Sequence, residues 1–265
     1  MPSFMIVCPK LQLAARSYCV FCAMHPSTDY RFYPCGDHAL TLELGNRIDR
    51  QINQQVIALF QFLQDRRLPW IKDLIPSYHT LTVVYDLLQL TGSENKTTAY
   101  DQALTLMQQA IAACELKTTA SRKVQIPVCY DPVFGPDLSF IADAHGLSVA
   151  ETIALHLSRS YRVYLLGFLP GFAYMGSVDE KIATPRRSSP RVSVAAGSVG
   201  IAGEQTGIYP FESPGGWQLL GRTPLRLFDA HRAQPALLQP GDEVQFYAID
   251  ITEFNNLQQH GAMYS

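Results

Sequence analysis

The chain has 265 residues, 47% hydrophobic and 17% charged, with a formal net charge of -2, enough for one large or two ordinary globular domains. A balance this close to neutral gives no electrostatic case for nucleic acid or an anionic membrane as partner, and no apolar run approaches the ~20 residues of a spanning helix. Six scattered cysteines suit a reducing compartment, so a cytoplasmic location is expected.

Residues 1–28 show neither clear periodicity nor a firm helix cap and read as a variable N-terminal extension, with Met24 as an alternative start. Cys19, Cys22 and His25 lack a second pair at matching spacing, which argues against a metal or redox site. Residues 30–33 and 39–44 read as strands around the Pro34-Cys35-Gly36-Asp37 turn. Over 47–65, apolar residues at Ile48, Ile52, Val56, Leu59, Phe60 and Leu63 follow one helix face, with Asn46 as cap. A hairpin follows, with Leu74-Ile75 ending at Pro76 and a β-branched strand at 79–85. A second amphipathic helix covers 98–114 and a strand 124–130. This ββαββαβ order predicts two helices on one side of a mainly antiparallel sheet.

Asp131-Pro132 and Gly135-Pro136 punctuate the chain, placing a domain boundary near Pro132: 29–131 before it, 132–253 after it, and a polar, frayed tail over 254–265. A short helix is expected over 137–145, ending at Gly146. Ser148 and Glu151 form a capping box that opens another, in which Leu147, Ile153 and Leu157 face a core. Ten of the 17 glycines then fall between Gly167 and Gly221 and six of the 17 prolines between Pro170 and Pro224. That density excludes helix and marks turns between short strands at 162–168, 192–195, 199–202, 217–220 and 225–228. After a connection over 229–239 and the Pro240-Gly241-Asp242 turn, 243–251 is the closing strand.

Arg186, Arg187, Arg191 and Arg222 thread these turns together with Tyr174, Tyr209, Phe211 and Trp217, a composition suited to planar or anionic groups. Gly197, Gly200 and Gly203 are spaced to offer consecutive N–H groups to an anion. Their G-x-x-G-x-x-G pattern is followed by no helix, however, so a dinucleotide site is not expected. A G-x-x-x-x-G-K-[ST] loop, G-x-S-x-G around Ser198, H-E-x-x-H and close ligand-spaced His/Cys/Asp groups are all missing. His156, His79 and Asp37 are the candidate acid–base groups.

The chain resembles the family of 5-oxoprolinase B subunits, also called the Kip-type kinase-inhibitor family and related to carboxyltransferase C/D-subdomain proteins. The matching residues include Gly36-Asp37, Tyr78-His79, Tyr85-Asp86, Gly135-Pro136-Asp137-Leu138, His156, Gly167-Phe168, Pro170-Gly171-Phe172, Tyr174, Pro185-Arg186 and Pro190-Arg191. They continue with Ala196-Gly197-Ser198-Val199-Gly200-Ile201-Ala202-Gly203, Gln205-Thr206-Gly207-Ile208-Tyr209-Pro210, Ser213-Pro214-Gly215-Gly216-Trp217 and Gly221-Arg222-Thr223-Pro224. Ala195 departs from the proline that the family usually carries there.

The resemblance implies an α+β protein, a small α/β sandwich N-terminal domain followed by a cyclophilin-like β-barrel. It also implies work with A and C subunits to open 5-oxoproline to L-glutamate while hydrolysing ATP, this chain being an obligate subunit. The expected catalytic residues are Arg186, Arg191, Arg222 and His156. The expected substrate contacts are Gly197, Ser198, Gly200, Gln205, Tyr209 and Trp217. ATP is expected mainly on a partner, because no P-loop is present. The alternatives are a protein-binding inhibitor of a histidine kinase, and a biotin-dependent carboxyltransferase-like subunit, whose Met-Lys-Met carrier signature this chain lacks.

Overall fold

The computed structural model describes residues 30–90, 97–114 and 121–259. The expected extension over 1–28, with Cys19, Cys22 and His25, and residues 260–265 of the expected tail lie outside the described residues.

The first unit runs β1 (Arg31–Pro34), β2 (Ala39–Glu43), α1 (Arg50–Arg66), β3 (Ile71–Pro76), β4 (Thr80–Tyr85), the single turn α2 (Leu87–Leu90) and α3 (Ala99–Ala113). Its four strands form an antiparallel sheet in the order β1-β2-β4-β3. Helix α1 begins three residues later than expected, because Asp49 rather than Asn46 caps it: its carboxylate accepts the Gln51 and Ile52 N–H groups. Ile48, expected on the buried face, therefore lies ahead of the helix and is exposed. Helix α3 starts at the Thr98–Asp101 capping box. Leu40, Leu42, Leu81 and Val83 of the sheet pack with Val56, Leu59 and Leu63 of α1 and Ala103 and Met107 of α3 into one core.

The second unit runs β5 (Lys123–Cys129), α4 (Leu138–Ala144), α5 (Val149–Leu157), β6 (Tyr161–Leu166), β7 (Ala173–Gly176), β8 (Arg191–Val194), β9 (Ser198–Ala202), β10 (Gln205–Ile208), β11 (Ser213–Gly215), β12 (Gln218–Arg222), β13 (Glu243–Ile249) and α6 (Ile251–Gln259). Seven strands close into the expected barrel in the order β10-β7-β6-β13-β5-β12-β9, while β8 and β11 form a separate two-stranded ribbon. Full closure leaves no open edge. Ile126, Val128, Val163, Met175, Val199, Ile201, Ile208 and Phe246 are among the residues that fill the barrel. The capping box of α5 is present, and Leu147, Ile153 and Leu157 pack against this core as expected.

Three expectations do not hold. The strand expected to complete the N-terminal sheet, β5, is a barrel stave: it pairs in parallel with β13 and antiparallel with β12. The change of sheet thus precedes β5 rather than coinciding with the expected division at 131/132. Residues 225–228 are not a strand and contribute only an isolated bridge between Phe228 and Ala236. The tail expected to fray instead begins with α6, whose Phe254 is buried against Cys129, Ile249 and Phe134. No single helix among the described residues is long and apolar enough to cross a membrane.

Candidate functional site

Arg186 is held by the backbone on both sides. Gln218 Nε2 donates to the Pro185 carbonyl at 3.1 Å and the Arg187 N–H donates to the Gly216 carbonyl at 2.8 Å. Between these two anchors the Arg186 side chain is exposed, with its guanidinium carbon 5.8 Å from the centre of the Trp217 ring. Trp217 itself is fixed by edge-on contacts with Phe172 at 5.4 Å and Tyr174 at 5.9 Å. Phe172 in turn meets Tyr209 at 5.3 Å.

Glycines let the backbone approach this aromatic wall. A Cβ at Gly215 would lie 2.4 Å from the Tyr209 hydroxyl, and one at Gly207 would lie 3.0 Å from the Trp217 ring.

The loop between β3 and β4 meets this wall from the first unit. Gln205 Nε2 donates to the Tyr78 hydroxyl oxygen, and the Tyr78 ring lies 5.4 Å from Tyr164. Asn53, fully buried in α1, pins the loop by donating to the Ser77 carbonyl at 3.0 Å and the Tyr78 carbonyl at 3.3 Å, and to the barrel's Tyr164 carbonyl at 3.4 Å. Burial, reinforced by Tyr174, pushes the Tyr78 phenol well above its ordinary range; Gln205 and the charge of Arg186 offset this only in part. Burial also raises Tyr174, again against Arg186. Both phenols are therefore neutral O–H groups at neutral pH.

The other expected arginines are committed elsewhere. Asp137, buried at the start of α4, accepts the Leu219 N–H at 2.7 Å on Oδ2, and Arg191 at 2.7 Å and Arg187 at 3.1 Å on Oδ1. Arg191 Nη1, Gln218 Oε1 and Ser213 Oγ are buried without hydrogen-bond partners. Arg222 donates through Nε to the Ala196 carbonyl at 2.7 Å, and its guanidinium carbon lies 5.8 Å from the Phe134 ring centre.

His156 is the clearest correction. It is fully buried and stacked on Phe246 at 4.8 Å, and burial pushes its pKa down to about 3. Its hydrogen bonds also run in one direction. Thr206 Oγ1 donates to the Gly200 carbonyl, so His156 Nε2 donates to Thr206 Oγ1 and Nδ1 accepts from the Tyr130 hydroxyl. Every polar atom is satisfied and none faces an open site, so the ring is a structural strut.

The expected anion cradle is also corrected. Gly197 N–H donates to the Tyr209 carbonyl at 2.7 Å, Ser198 N–H to Ala195 at 3.2 Å and Gly203 N–H to Thr184 at 2.8 Å. Gly200 sits in β9 between β10 and β12. These groups serve the barrel. Ser198 is buried in the same strand.

Of the expected residues, the fold thus brings Arg186, Gln205, Tyr209 and Trp217 together, and leaves Arg191, Arg222, His156, Gly197, Ser198 and Gly200 in structural settings. Asp37 is exposed and paired with His38 Nδ1 at 2.7 Å, and His79 Nδ1 is buried without a partner. Sequence reasoning missed Tyr78 and Asp137 as individual residues, although both stood inside quoted motifs. Their roles depend on contacts 127 and 82 residues away along the chain. A cavity of about 450 Å³ lies elsewhere, between the end of α1 and β3, lined by Phe60, Leu68, Ile71 and Leu74. It gathers none of the residues above, and the aromatic and cationic seam is the better candidate.

Residues 30–238 match the family described as carboxyltransferase domain, subdomain C and D. The 5-oxoprolinase B subunit of Bacillus subtilis (strain 168) is 39% identical over 229 residues, 85% of this chain and 95% of that protein. The 5-oxoprolinase B subunit of Escherichia coli O157:H7 is 41% identical over 216 residues, 82% of this chain and 94% of that protein. The crystal structure of TTHA0988 is 37% identical, with a TM-score of 0.69 over 80% of this chain. This chain spans only 40% of that polypeptide. By these matches, together with a closed barrel carrying the motif residues described above, the chain belongs to the carboxyltransferase subdomain C and D family and groups there with the 5-oxoprolinase B subunits.

Proposed function

We propose that this chain is the B subunit of a cytoplasmic, ATP-dependent 5-oxoprolinase that opens 5-oxoproline to L-glutamate together with A and C subunits. The observation that carries this reading is the 39% and 41% identity to two proteins of that name, covering nearly their whole lengths. The chemistry explains the need for ATP, because a lactam carbonyl is a poor electrophile. Transfer of a phosphoryl group from ATP to its oxygen, releasing ADP, makes the carbon open to attack by water. The ring C–N bond then breaks as the nitrogen leaves protonated, and hydrolysis of the resulting acyl phosphate gives glutamate and phosphate. The charge developing along the way calls for positioned cations or N–H donors.

In this chain Arg186 is the one of the four arginines left free to meet a bound anion, since Arg187 and Arg191 are paired with Asp137 and Arg222 holds a backbone carbonyl. The Gly197–Gly203 N–H groups are spent within the fold, so these residues do not fit the phosphates of ATP. That supports assigning the nucleotide to a partner.

The test is glutamate release from 5-oxoproline by this chain alone and mixed with A and C subunits, with and without ATP. Activity in the full ATP-containing mixture that disappears when this chain is omitted is the expected result. A mixture that assembles and stays inactive overturns the reading.

A further inference from the structure

The seam between the two units holds three hydrogen-bonding groups and one charge that the fold does not use. Arg186 has no hydrogen bond or ion pair among the described residues; only the Trp217 face meets it. The Tyr174 hydroxyl has no hydrogen-bond partner among them either, although its ring is fixed between Phe172 and Trp217. The Tyr78 oxygen accepts from Gln205 Nε2, so the Tyr78 proton remains to be donated and Gln205 Oε1 remains to accept. Tyr174 faces Gly207 across β7 and β10, and Gln205 lies two residues along the same face of β10; Trp217 covers Gly207 and carries Arg186, and Gln205 holds Tyr78, so these groups line one stretch of the seam.

This is an asymmetric set. A guanidinium resting on an indole, beside a neutral phenol, presents a planar array of donors to a carboxylate. A neighbouring donor and acceptor side by side, the Tyr78 O–H and Gln205 Oε1, match an amide whose C=O and N–H point the same way. A ring forces that cis arrangement on a lactam, whereas an open-chain secondary amide is almost always trans. The Trp217 and Tyr174 rings lie beside these groups.

We infer that the seam between the β3–β4 loop and the barrel is a binding site for a small cyclic amide carrying a carboxylate, with the carboxylate on Arg186 and Tyr174 and the lactam edge on Tyr78 and Gln205. The inference rests on the 5-oxoprolinase reading for its natural ligand, and it assigns binding to both units, since Tyr78 comes from the first and the remaining groups from the second. Arg186, expected to be catalytic, becomes the carboxylate anchor. Asn53 becomes a positioning residue, because its amide holds the Tyr78 backbone against the barrel.

The experiment is a ligand-observed NMR titration of the full chain, alone and in the A–B–C mixture, with 5-oxoproline and with 2-pyrrolidinone, which keeps the lactam but lacks the carboxylate. Arg186→Ala, Tyr78→Phe and the surface control Arg226→Ala are compared with wild type, and the activity of the mixture is measured in parallel. The expected result is saturable 5-oxoproline binding, weakened about tenfold or more by Arg186→Ala and several-fold by Tyr78→Phe. Binding is expected to be unchanged in Arg226→Ala, and 2-pyrrolidinone to bind more weakly than 5-oxoproline to wild type.

Binding indifferent to Arg186→Ala and Tyr78→Phe, or absent from both preparations, overturns the inference. Loss of assembly in Arg186→Ala also overturns it, in favour of Arg186 pairing with an acidic side chain of another subunit. An active wild-type mixture alongside any of these outcomes leaves the 5-oxoprolinase reading standing. An inactive mixture with seam-dependent binding retains the site and removes that reading.

Discussion

Arg162 on β6 donates through Nε to Asn53 Oδ1 on α1 at 2.7 Å, and both side chains are buried where the first unit meets the barrel. Glu243 shares the same guanidinium at 3.5 Å and also pairs with Arg50 of α1 at 2.8 Å. The two units are therefore joined by a charged hydrogen-bonding network, and burial of Asn53, Arg162 and Glu243 makes the links among these three costly to break.

Asn53→Ala removes the acceptor from a buried guanidinium and three carbonyl contacts at once. The expected loss is about 3 kcal/mol in urea unfolding at neutral pH, at the upper end for hydrogen bonds to charged groups. Asn53→Asp, which keeps the acceptor for Arg162, should recover part of it. Equal stability of Asn53→Ala and wild type would show that the network does not hold the units together.

Asp137 is the node for two arginines and for the Leu219 N–H. Asp137→Ala leaves that N–H without its carboxylate partner and frees two cations, so a loss of about 3 kcal/mol is expected by chemical denaturation. Asp137→Asn still offers an acceptor to Leu219 and should lose distinctly less. An equal or larger loss in Asp137→Asn would mean that charge pairing with the two arginines, rather than the acceptor for Leu219, carries the stability.

His156 ties stability to pH. Its folded pKa of about 3 lies below the ordinary 6.5, so between these values the unfolded chain binds a proton that the folded chain excludes. Stability from the neutral ring is fully present above about pH 6.5 and falls by about 1.4 kcal/mol per unit as pH drops below it. The rings and hydroxyls around it, Tyr130, Tyr161, Thr206 and Phe246, carry no charge that offsets this. Urea midpoints at pH 7 and pH 5 should therefore converge in His156→Gln by about 2 kcal/mol relative to wild type. Identical pH slopes would refute buried neutrality.

Two glycines with positive φ separate packing from conformation. Gly197 has φ of 82° and a Cβ there would lie 2.3 Å from the Thr223 carbonyl oxygen, whereas Gly203 has φ of 61° with nothing within 4 Å. Gly197→Ala is expected to cost more than about 4 kcal/mol and to prevent accumulation of folded protein. Gly203→Ala should cost about 1–2 kcal/mol, the strain of the left-handed backbone alone. The yield of soluble Gly197→Ala protein and a thermal melt of Gly203→Ala against wild type decide the matter.

Phe254 lies 4.4 Å, ring to ring, from Phe134 and is almost fully buried. Phe254→Ala should lower stability by about 3–5 kcal/mol. A change below about 1 kcal/mol would return residues 251–259 to the status of a loose tail.

Elements whose signals act over a few residues are legible in the amino-acid string. The capping box Ser148–Glu151, the 3.6-residue apolar periods of α1 and α3, and the glycine and proline density of the barrel are all of this kind. The family motifs carried the barrel and the subunit relationship as well.

Which motif residues meet is a property of the folded chain. β5 has the composition of any buried strand, and only its pairing with β13, some 120 residues away in register from Glu243↔Lys123, assigns it to the barrel. Four arginines look alike in a string. Asp137 absorbs two, the Ala196 carbonyl takes Arg222, and Arg186 alone is left over the Trp217 face. Tyr78 joins the seam because Asn53 pins its loop to the barrel, an arrangement set by long-range hydrogen bonds that no local pattern encodes.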